Sequence, residues 1–455
     1  MLSPMASASN PSEISPQVDA LFSEWDKPNS PGCTVAVIQD GKVVYKEGFG
    51  MANLEYGILN EPGTIYHVAS VSKQFTAFAV QLLAAEGKLS LDDDLRKYLP
   101  ELHNFGYPIS LRHLIHHTSG MRDQWNLLGV AGWRSGDIFT EDDILNVVWR
   151  QRELNFETGS EYCYCNTGYT LLGQIVKRVS GLPLRQFCEQ RIFAPLGMVH
   201  THFHDDNTEI VKGRAYSYSP KSSGGFQHSP LQFANVGATS LFTTVEDLAL
   251  WDRNFDAPVV GDAGLIAEMH EGGKLNNGDE IKYASGIING KYRDLRKVGH
   301  DGADAGFRSA YWRFPDQKFA VILLANVSSF DANLLAYKLA ETCLGDLMNP
   351  VEEVMPAPLA LPTEFRLGQG AHDEYVGNYF SPELNVIFTI AEDDGVLKIT
   401  FPKGVANLIA VKEDVFNADP IGEIAFERKD GKLTGFRLDN GRVRRLWFER
   451  WQRQL

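Results

Sequence analysis

The sequence predicts an α+β domain followed by a small antiparallel β-barrel, and three observations support this order. Two pairs of apolar, β-branched segments lie far apart in the chain, near residues 33–46 and 308–325. Helical hydrophobic periodicity fills much of the sequence between them, and a proline-rich stretch precedes a final run of short alternating segments. We therefore expect one sheet built from both ends of the first domain, with a helical insertion between its two halves.

Two strand pairs are expected to form the sheet of the first domain. In the first pair, two apolar runs are separated by the turn dipeptide Asp40-Gly41, which is typical of a hairpin. The four strands and the helix after them are expected at residues 33–39, 42–46, 308–314, 319–325 and 332–344. Further helices are expected after Ser70 and over residues 111–116 and 167–179.

A change in composition marks the boundary between the two domains. Three prolines within residues 351–363 predict an extended linker between a domain at 16–350 and a second domain at 364–455. The second domain has short alternating segments separated by Asp-Gly and Asn-Gly turns, with strands expected at 385–390, 396–401, 424–428, 433–438 and 442–448. This pattern is typical of a small antiparallel barrel, and we find no catalytic constellation in it.

Length and charge place the chain among globular proteins with a large core. Its 455 residues are 44% hydrophobic and 22% charged, which suits two domains. Acidic residues outnumber basic ones by 58 to 43, and the formal net charge of −15 argues against a nucleic-acid partner. A basic cluster at Arg442, Arg444 and Arg445 departs from this trend and is interpreted as the solvated face of a strand.

The cysteines and the amino terminus favour a reducing compartment. Five cysteines form no even disulfide framework, and the pair Cys163 and Cys165 lacks the further ligands of a zinc site. Residues 1–15 have neither a basic start nor an apolar run, so they predict a disordered arm and not a signal peptide. No stretch reaches the roughly 18 apolar residues of a membrane helix. We expect a cytoplasmic protein without a membrane partner.

The segment Ser70-Val-Ser-Lys73 is the first that indicates chemistry. A helix has 3.6 residues per turn, so Lys73 lies one turn after Ser70 and on the same face. If the helix begins at Ser70, its free N–H groups would stabilise an oxyanion, and its dipole would disfavour a protonated Lys73. The motif therefore predicts a serine nucleophile with a lysine base. The alternative is a serine N-cap followed by a solvated lysine.

Tyr164 and Asn166 form the second candidate motif, on a loop that enters a helix. The phenol of Tyr164 is placed to relay the serine proton together with Lys73, and the amide of Asn166 to hold a substrate amide or carbonyl. The alternative is a tyrosine packed at a loop corner and an asparagine that caps the following helix.

The third motif, His300-Asp-Gly302-Ala303, is expected on a strand beside the same cleft. Glycine allows a backbone to approach a ligand closely, so the N–H groups of Ser70 and Ala303 are placed to hold a substrate carbonyl. His300 would supply a hydrogen bond or partial positive charge near the leaving group, or would alternatively cap a turn. The pair His116 and His117 lacks a third ligand, so that segment is interpreted as structural and not as a metal site.

Together, these three motifs resemble those of the serine β-lactamase and penicillin-binding-protein superfamily. Their order and approximate intervals are similar to those in the branch that contains class C β-lactamases, D-aminopeptidases, D,D-peptidases and family VIII esterases, over about residues 16–350. The resemblance implies a three-layer α/β/α-type sandwich with a mainly antiparallel sheet and a helical subdomain. Residues 364–455 resemble the lipocalin-like barrel that follows this domain in some members, where it either lines the active site or acts as a stabilising or oligomerising module.

The resemblance also implies a role for each candidate residue. Ser70 would be the acylated nucleophile, Lys73 and Tyr164 would share the base role, and Asn166 would orient the substrate. The cleft edge and oxyanion hole would be formed by His300, Gly302 and Ala303, and no metal or organic cofactor is implied. Histidine stands where β-lactamases carry an always-charged lysine, which favours aminopeptidase, esterase or acyl-transfer activity over penicillin hydrolysis.

These implications favour a serine hydrolase that forms a covalent acyl-enzyme on amide or ester bonds. The expected substrate is a small molecule or short peptide, above all one that contains D-amino acids. One alternative is an acyltransferase or peptide cyclase, in which a bound amine outcompetes water for the acyl-enzyme. Another is a penicillin-binding module that acylates once without turnover. The sequence leaves open whether the chain forms a homo-oligomer.

Overall fold

The structure is a computed structural model that describes residues 11–350, 365 and 371–451. Its described α-helices are, in chain order, α1 (Pro11–Phe22), α2 (Ser72–Ala85), α3 (Leu111–Ile115), α4 (Gln124–Val130), α5 (Glu141–Trp149), α6 (Asn166–Ser180), α7 (Leu184–Cys188), α8 (Ala194–Leu196), α9 (Val245–Asp256), α10 (Ala263–Met269) and α11 (Ala332–Leu344).

The strands divide at the proline-rich segment into two groups. Those before it are β1 (Cys33–Gln39), β2 (Lys42–Phe49), β3 (Met51–Asn53), β4 (Ile58–Leu59), β5 (Tyr66–His67), β6 (Phe139–Thr140), β7 (His202–Phe203), β8 (Tyr218–Pro220), β9 (Phe226–His228), β10 (Phe233–Ala234), β11 (Leu241–Thr243), β12 (Ile288–Tyr292), β13 (Leu295–Asp304), β14 (Phe307–Phe314) and β15 (Phe319–Ala325). Those after it are β16 (Gly377–Ser381), β17 (Val386–Asp393), β18 (Val396–Phe401), β19 (Gly404–Asn407), β20 (Ile409–Lys412), β21 (Val415–Ala418), β22 (Gly422–Lys429), β23 (Lys432–Asn440) and β24 (Val443–Trp451).

The main sheet of the first domain is antiparallel and joins both ends of that domain. Its strand order is β12-β13-β14-β15-β1-β2, and β1 pairs with β15 from Cys33 opposite Ala325 to Gln39 opposite Phe319. The expected strand pairs and the helix over 332–344 are confirmed at nearly the predicted bounds. The helical insertion lies within the predicted interval between the two strand pairs, but it ends at β12, a strand that the sequence analysis did not predict.

Alternate residues of β1 show why this sheet is covered on both faces. Val35 and Val37 pack in one apolar cluster with Val18 of α1 and with α11, whereas Ala36 and Ile38 pack in the cluster that contains α2. Successive side chains of a strand point to opposite faces, so a strand buried on both faces lies between two helical layers. The sandwich of helices, antiparallel sheet and helices is therefore confirmed.

The segment around Ser70 differs in one detail from the expected helix start. A 3₁₀ turn over Ala69–Val71 precedes α2, which begins at Ser72. Ala69 has a φ of +47°, a left-handed conformation that costs a non-glycine residue about 1–3 kcal/mol and is frequent near functional sites. The turn keeps Ser70 and Lys73 three residues apart along a continuous helical path, so the predicted proximity survives the different start.

The second domain is one antiparallel sheet that curls into a near-closed barrel. Its nine described strands follow the order β19-β18-β17-β16-β24-β23-β22-β21-β20. The predicted strands and the turn at Asn440-Gly441 are confirmed, with bounds that differ by a few residues. The inward side is apolar and buried, as shown by Tyr379, Phe388 and Phe436.

Parts of the predicted domain division lie outside the described residues. This holds for the linker at 351–363 and for residues 1–10 of the expected disordered arm. Residues 11–15 belong to α1, whose Val18 and Phe22 are fully buried against the sheet. The boundaries at 16–350 and 364–455 stay predictions. In the described part of the chain, no helix combines the length and apolarity needed to cross a bilayer.

Candidate active site

Ser70 lines a cleft of about 340 Å³ that is built from residues of the first domain and one residue of the barrel, Arg442. Residues from all three predicted motifs line this cleft, among them Tyr164, Asn166, His300 and Ala303. The structure therefore brings together side chains that are up to 233 residues apart in sequence, as the spacing of the motifs predicts.

Lys73 is fully buried beneath Ser70 and has three close polar neighbours. Its Nζ lies 3.0 Å from Ser70 Oγ, 2.9 Å from Asn166 Oδ1 and 2.6 Å from the carbonyl oxygen of Ala238. The alternative of a solvated lysine is excluded, because the side chain has no exposed surface.

Burial also changes the protonation of this lysine. Desolvation is the largest cause that lowers the pKa of Lys73, to about 7, because a charged ammonium loses its hydration in the interior. The carboxylates of Asp304 and Asp123 oppose this shift, and the Arg442 guanidinium adds to it. At neutral pH a large fraction of the amine is therefore unprotonated and able to accept a proton.

Tyr164 is the second side chain that contacts Ser70, and its ring lies 4.9 Å from Lys73 Nζ. Its hydroxyl donates to Ser70 Oγ at 2.9 Å, and its ring packs against that of His117 with a centroid separation of 4.3 Å. Burial raises the pKa of the phenol well above its usual range, so the hydroxyl keeps its proton at neutral pH. Tyr164 is therefore equipped to pass a proton on and not to act as a phenolate base.

Asn166 is the first residue of α6 and not its N-cap, a position taken by Cys165. Both its backbone N–H and its side-chain Nδ2 donate to Asp123 Oδ2, at 2.7 and 2.8 Å. These two bonds fix the amide so that Oδ1 faces Lys73. Asp123 is fully buried and also caps α4 by accepting from the Trp125 N–H at 3.0 Å. Its place in the site was missed in the sequence because its contact with Asn166 spans 43 residues.

His300 lines the cleft, but both of its ring nitrogens are hydrogen-bonded to groups of the protein. Its Nε2 lies 2.9 Å from the Tyr283 hydroxyl, and its Nδ1 faces the carbonyl oxygen of Asp301. A carbonyl only accepts, so Nδ1 carries the proton and Nε2 accepts from Tyr283. Burial lowers the pKa of His300 to about 4, with a further contribution from Lys73. Of the two roles that the sequence leaves open for His300, a hydrogen bond or a partial positive charge, a neutral ring at neutral pH favours the hydrogen bond.

Gly302 and Ala303 lie on the part of β13 that borders Ser70. The pairing of β12 with β13 ends at Ile288 opposite Gly299, so the following residues of β13 lie beyond β12. A Cβ at Gly302 would come within 2.5 Å of the Val68 carbonyl oxygen, which explains why glycine is needed for the strand to approach the Ser70 turn. Ala303 lines the cleft at this edge.

The barrel contributes a residue to the cleft that the sequence analysis assigned to a solvated face. Arg442, in the turn between β23 and β24, lines the cleft, with its guanidinium carbon 5.4 Å from the centre of the Tyr164 ring. Its Nη2 lies 3.6 Å from Asp123 Oδ1, and 37% of its side chain is exposed. The solvated-face interpretation is wrong for Arg442, because a hairpin tip can insert into another domain whatever the strand pattern indicates.

A buried arginine of the first domain holds this hairpin in place. Arg122 donates to both carboxylate oxygens of Glu383 at 2.9 Å and to the carbonyl oxygens of Arg444 and Arg445, each at 3.1 Å. Asn155 also donates to the carbonyl oxygen of Arg442 at 2.9 Å. These contacts fix the backbone of the hairpin while its Arg442 side chain stays partly exposed.

A histidine–carboxylate group lies away from the cleft. His202 Nε2 and His204 Nδ1 are 3.4 Å apart, and Glu209 completes a set of three potential ligand atoms. Arg185 already donates to both oxygens of Glu209, at 2.6 and 2.8 Å. This ion pair competes with any cation for the carboxylate.

Comparison with known proteins identifies the family. The family model described as Beta-lactamase matches residues 18–344. The chain belongs to the beta-lactamase family. This agrees with the resemblance that the Ser70, Tyr164 and His300 motifs indicate. The matched residues include every residue that lines the cleft except Arg442, which belongs to the barrel.

Within the beta-lactamase family, the relatives are distant. A D-aminopeptidase from Brucella canis is 25% identical over 365 residues, which cover 80% of this chain and 66% of the relative, or slightly less than two thirds of its length. The octameric penicillin-binding protein homologue from Pyrococcus abyssi superposes with a TM-score of 0.64 at 24% identity, over 97% of this chain and 99% of that chain.

A third similar protein is the D-amino acid amidase from Ochrobactrum anthropi, whose structure in complex with L-phenylalanine amide gives a TM-score of 0.61 at 23% identity. The superposition covers 74% of this chain and 98% of that chain. The fold of the first domain is therefore that of the beta-lactamase family. The Pyrococcus abyssi protein matches the barrel region as well, since it covers nearly the whole chain.

Proposed function

We propose that this chain is a serine hydrolase that forms an acyl-enzyme at Ser70 and cleaves amide or ester bonds in small substrates containing D-amino acids. The Lys73 amine carries the proposal. A neutral amine has two N–H bonds and one lone pair, and two of its three neighbours, Asn166 Oδ1 and the Ala238 carbonyl, are oxygens that only accept. The lone pair is therefore left for the third neighbour, the Ser70 hydroxyl at 3.0 Å.

Acylation follows from this arrangement. As Ser70 Oγ bonds to the substrate carbonyl carbon, its proton passes to Lys73 Nζ. The bond to the leaving group then breaks, and the departing nitrogen or oxygen takes the hydroxyl proton of Tyr164, which is replaced by the proton held on Lys73. Water later attacks the ester carbonyl carbon and gives a proton to the same pair. The bond between that carbon and Ser70 Oγ then breaks, and Oγ takes the proton back, which releases the acid and restores Ser70.

The oxyanion of each tetrahedral intermediate needs hydrogen-bond donors beside Ser70. We assign this role to the backbone N–H groups of Ser70 and Ala303, because both residues border the cleft where β13 meets the 3₁₀ turn. Asn166 orients the substrate through an amide that Asp123 already holds in place. Gly302 has no side chain to obstruct this edge.

The substrate class is supported by the distant relatives and by the state of His300. D-aminopeptidase and D-amino acid amidase are the printed names of two similar proteins. A neutral His300 gives the strand no fixed cation for a substrate carboxylate, unlike the lysine that the resemblance leads one to expect in β-lactamases. Small amides and esters of D-amino acids therefore fit better than penicillins.

The test is a substrate panel on the native protein and on Ser70→Ala. The panel contains p-nitroanilides of D- and L-phenylalanine, a p-nitrophenyl ester and a chromogenic cephalosporin. We expect turnover of the ester and the D-anilide, little turnover of the cephalosporin, and complete loss in Ser70→Ala. Ser160→Ala, which alters an exposed serine, serves as the matched control and should keep full activity.

Several results would contradict the proposal. Activity retained in Ser70→Ala would place the reaction at another residue. A single stoichiometric release of p-nitrophenol without further turnover would indicate a module that acylates once. Exclusive transfer of the acyl group to an added amine, with no hydrolysis product, would indicate an acyltransferase or peptide cyclase.

A further inference from the structure

The acylation steps leave two carboxylates of the cleft unused, Asp301 and Asp304, and of these Asp304 also borders a second cavity. Asp304 is the last residue of β13 and lines the Ser70 cleft, with 18% of its side chain exposed. Its Oδ2 accepts a hydrogen bond from the Thr239 hydroxyl and lies 2.9 Å from His67 Nε2. In the described part of the chain, its side-chain partners include no lysine or arginine within ion-pair distance. The carboxylate is thus held in position by Thr239 and His67 and is not paired with a lysine or arginine of the described chain.

Asp304 also borders a second hollow of about 350 Å³ that opens beside the first. The lining of this hollow is largely apolar and includes the rings of Trp125, Trp133, Phe139 and Phe233. Trp125 and Phe233 are stacked with a centroid separation of 4.8 Å, so the wall is firmly packed. A hollow of this size and lining suits an aromatic or large aliphatic side chain.

The Asp304 carboxylate and the aromatic hollow are arranged as the binding site of an amino acid with a free amino group would require. The amine, the side chain and the carbonyl carbon of an aminoacyl group all branch from one Cα. Their binding sites must therefore surround a single point. Asp304 and Trp125 line both cavities, so the anion and the aromatic hollow adjoin the cleft that contains Ser70.

We propose that Asp304 binds the protonated α-amine of the substrate, while the substrate side chain enters the aromatic hollow and its carbonyl lies at Ser70. This inference rests on the proposed hydrolase function and narrows its substrates to aminoacyl amides, esters or peptides with a free amino terminus and an apolar side chain. Hydrogen bonds between an ammonium and a carboxylate are among the strongest in proteins, so the contact would select against N-acylated substrates.

Asp304 also has a structural neighbour that the test must separate from substrate binding. His67 is fully buried among the rings of Phe242 and Phe307, three residues before Ser70. Loss of the Asp304 carboxylate could displace His67 and, with it, the Ser70 turn. Such a structural effect would slow every substrate equally, whereas loss of an amine contact would slow only substrates that carry an amine.

The experiment compares D-phenylalanine p-nitroanilide with 3-phenylpropionyl p-nitroanilide, which lacks only the amine. For the native protein we expect a higher kcat/KM with the amine-bearing substrate. Asp304→Asn should lower kcat/KM for that substrate by about 30-fold and change it for the other by less than about twofold. Asp137→Asn removes a like charge that is paired with Arg134 near the rim, and should alter neither.

A binding measurement makes the inference testable without turnover. Titration with phenethylamine, followed by the fluorescence of Trp125 and its neighbours, should show binding that weakens by about 30-fold in Asp304→Asn. 2-Phenylethanol should bind the native protein and Asp304→Asn equally.

Equal losses for both anilides, or unchanged phenethylamine binding, would overturn the role of Asp304 while the acyl-enzyme stands. Failure of the native protein to release p-nitroaniline from either anilide and p-nitrophenol from the ester would instead contradict the hydrolase function itself.

Discussion

The two sides of the Ser70 cleft are built differently. On the first domain's side, Lys73 has no exposed surface and contacts three oxygen atoms within 3.0 Å. On the barrel's side, Arg442 leaves 37% of its side chain exposed and lies 3.6 Å from Asp123. The reacting groups are therefore held in place by burial before a substrate arrives. The barrel adds a charge whose position depends on the docking of one hairpin.

If the buried side supplies the chemistry, replacing its base should have the largest effect. Lys73→Met removes the proton acceptor, and we expect kcat/KM for a p-nitrophenyl ester to fall about 10³- to 10⁴-fold. Lys88→Met alters an exposed lysine and should have no effect. A Lys73→Met protein that keeps more than about a tenth of the native activity would contradict the base role.

Tyr164→Phe separates proton delivery to the leaving group from attack by Ser70. The ring and its packing against His117 remain, while the hydroxyl 2.9 Å from Ser70 is lost. We expect a loss of about 10²-fold or more for a p-nitroanilide and a smaller loss for a p-nitrophenyl ester, because nitrophenolate departs without a proton. Tyr162→Phe, at a 42% exposed tyrosine, is the control. Equal losses for both substrates would contradict this relay.

Arg122→Met tests whether the docking of the hairpin matters to the cleft. Loss of one partner from a buried ion pair leaves Glu383 unpaired, which costs about 3–5 kcal/mol in the free energy of unfolding. We expect that loss in denaturant unfolding, together with reduced kcat/KM. Arg134→Met breaks an exposed pair with Asp137 and should cost less than about 1 kcal/mol. Equal stabilities for the two variants would contradict the anchoring role.

Arg442→Ala tests whether the positive charge from the barrel lowers the pKa of Lys73, and the pH dependence of activity is the measurement. Burial is the main cause that lowers the pKa of Lys73 to about 7, and Arg442 adds to that lowering. Activity should rise with pH through about 7, as the amine loses its proton. Without the nearby cation, protonated Lys73 is favoured, so the midpoint should move to higher pH. Arg444→Ala, which breaks a pair with Glu161, should leave the midpoint unchanged. A shift to lower pH would contradict the assignment.

The smallest expected effect concerns His300, whose ring should not change its protonation over the working pH range. Its pKa is lowered to about 4, mainly by burial, so the ring is neutral above about pH 5. The NMR signals of its ring, assigned by comparison with His300→Gln, should not titrate between pH 6 and 8. A midpoint within this range would indicate a ring that carries positive charge at neutral pH, the other role that the sequence leaves open for His300.

Much of this cleft is predictable from sequence, because its central contacts are local or depend on recognisable motifs. Ser70 and Lys73 meet through helical spacing alone, and the strand pairs follow from apolar runs and turn dipeptides. The start of α2 at Ser72 was not predicted, since the preceding turn depends on Ala69 in a left-handed conformation. Propensity gives no indication of such a conformation at alanine.

The residues missed in the sequence are those whose role comes only from distant contacts. Asp123 acts on Asn166 across 43 residues, and the Arg442 carbonyl accepts from Asn155 across 287 residues. The sequence also left the charge of His300 open, and the burial that lowers its pKa becomes visible only in the folded chain. Burial and long-range docking are properties of the assembled fold, so a motif can place a residue at a site without giving its protonation or its partners.

The most direct test of the account is the rate at which Ser70 is acylated as pH changes. The native protein is mixed with a p-nitrophenyl ester, quenched at intervals, and the modified peptide is located by mass spectrometry. The account predicts one adduct, on Ser70, whose rate of formation rises with a midpoint near pH 7, the pKa of Lys73. An adduct on another residue, or a rate on Ser70 that does not change between pH 5 and 9, would contradict it.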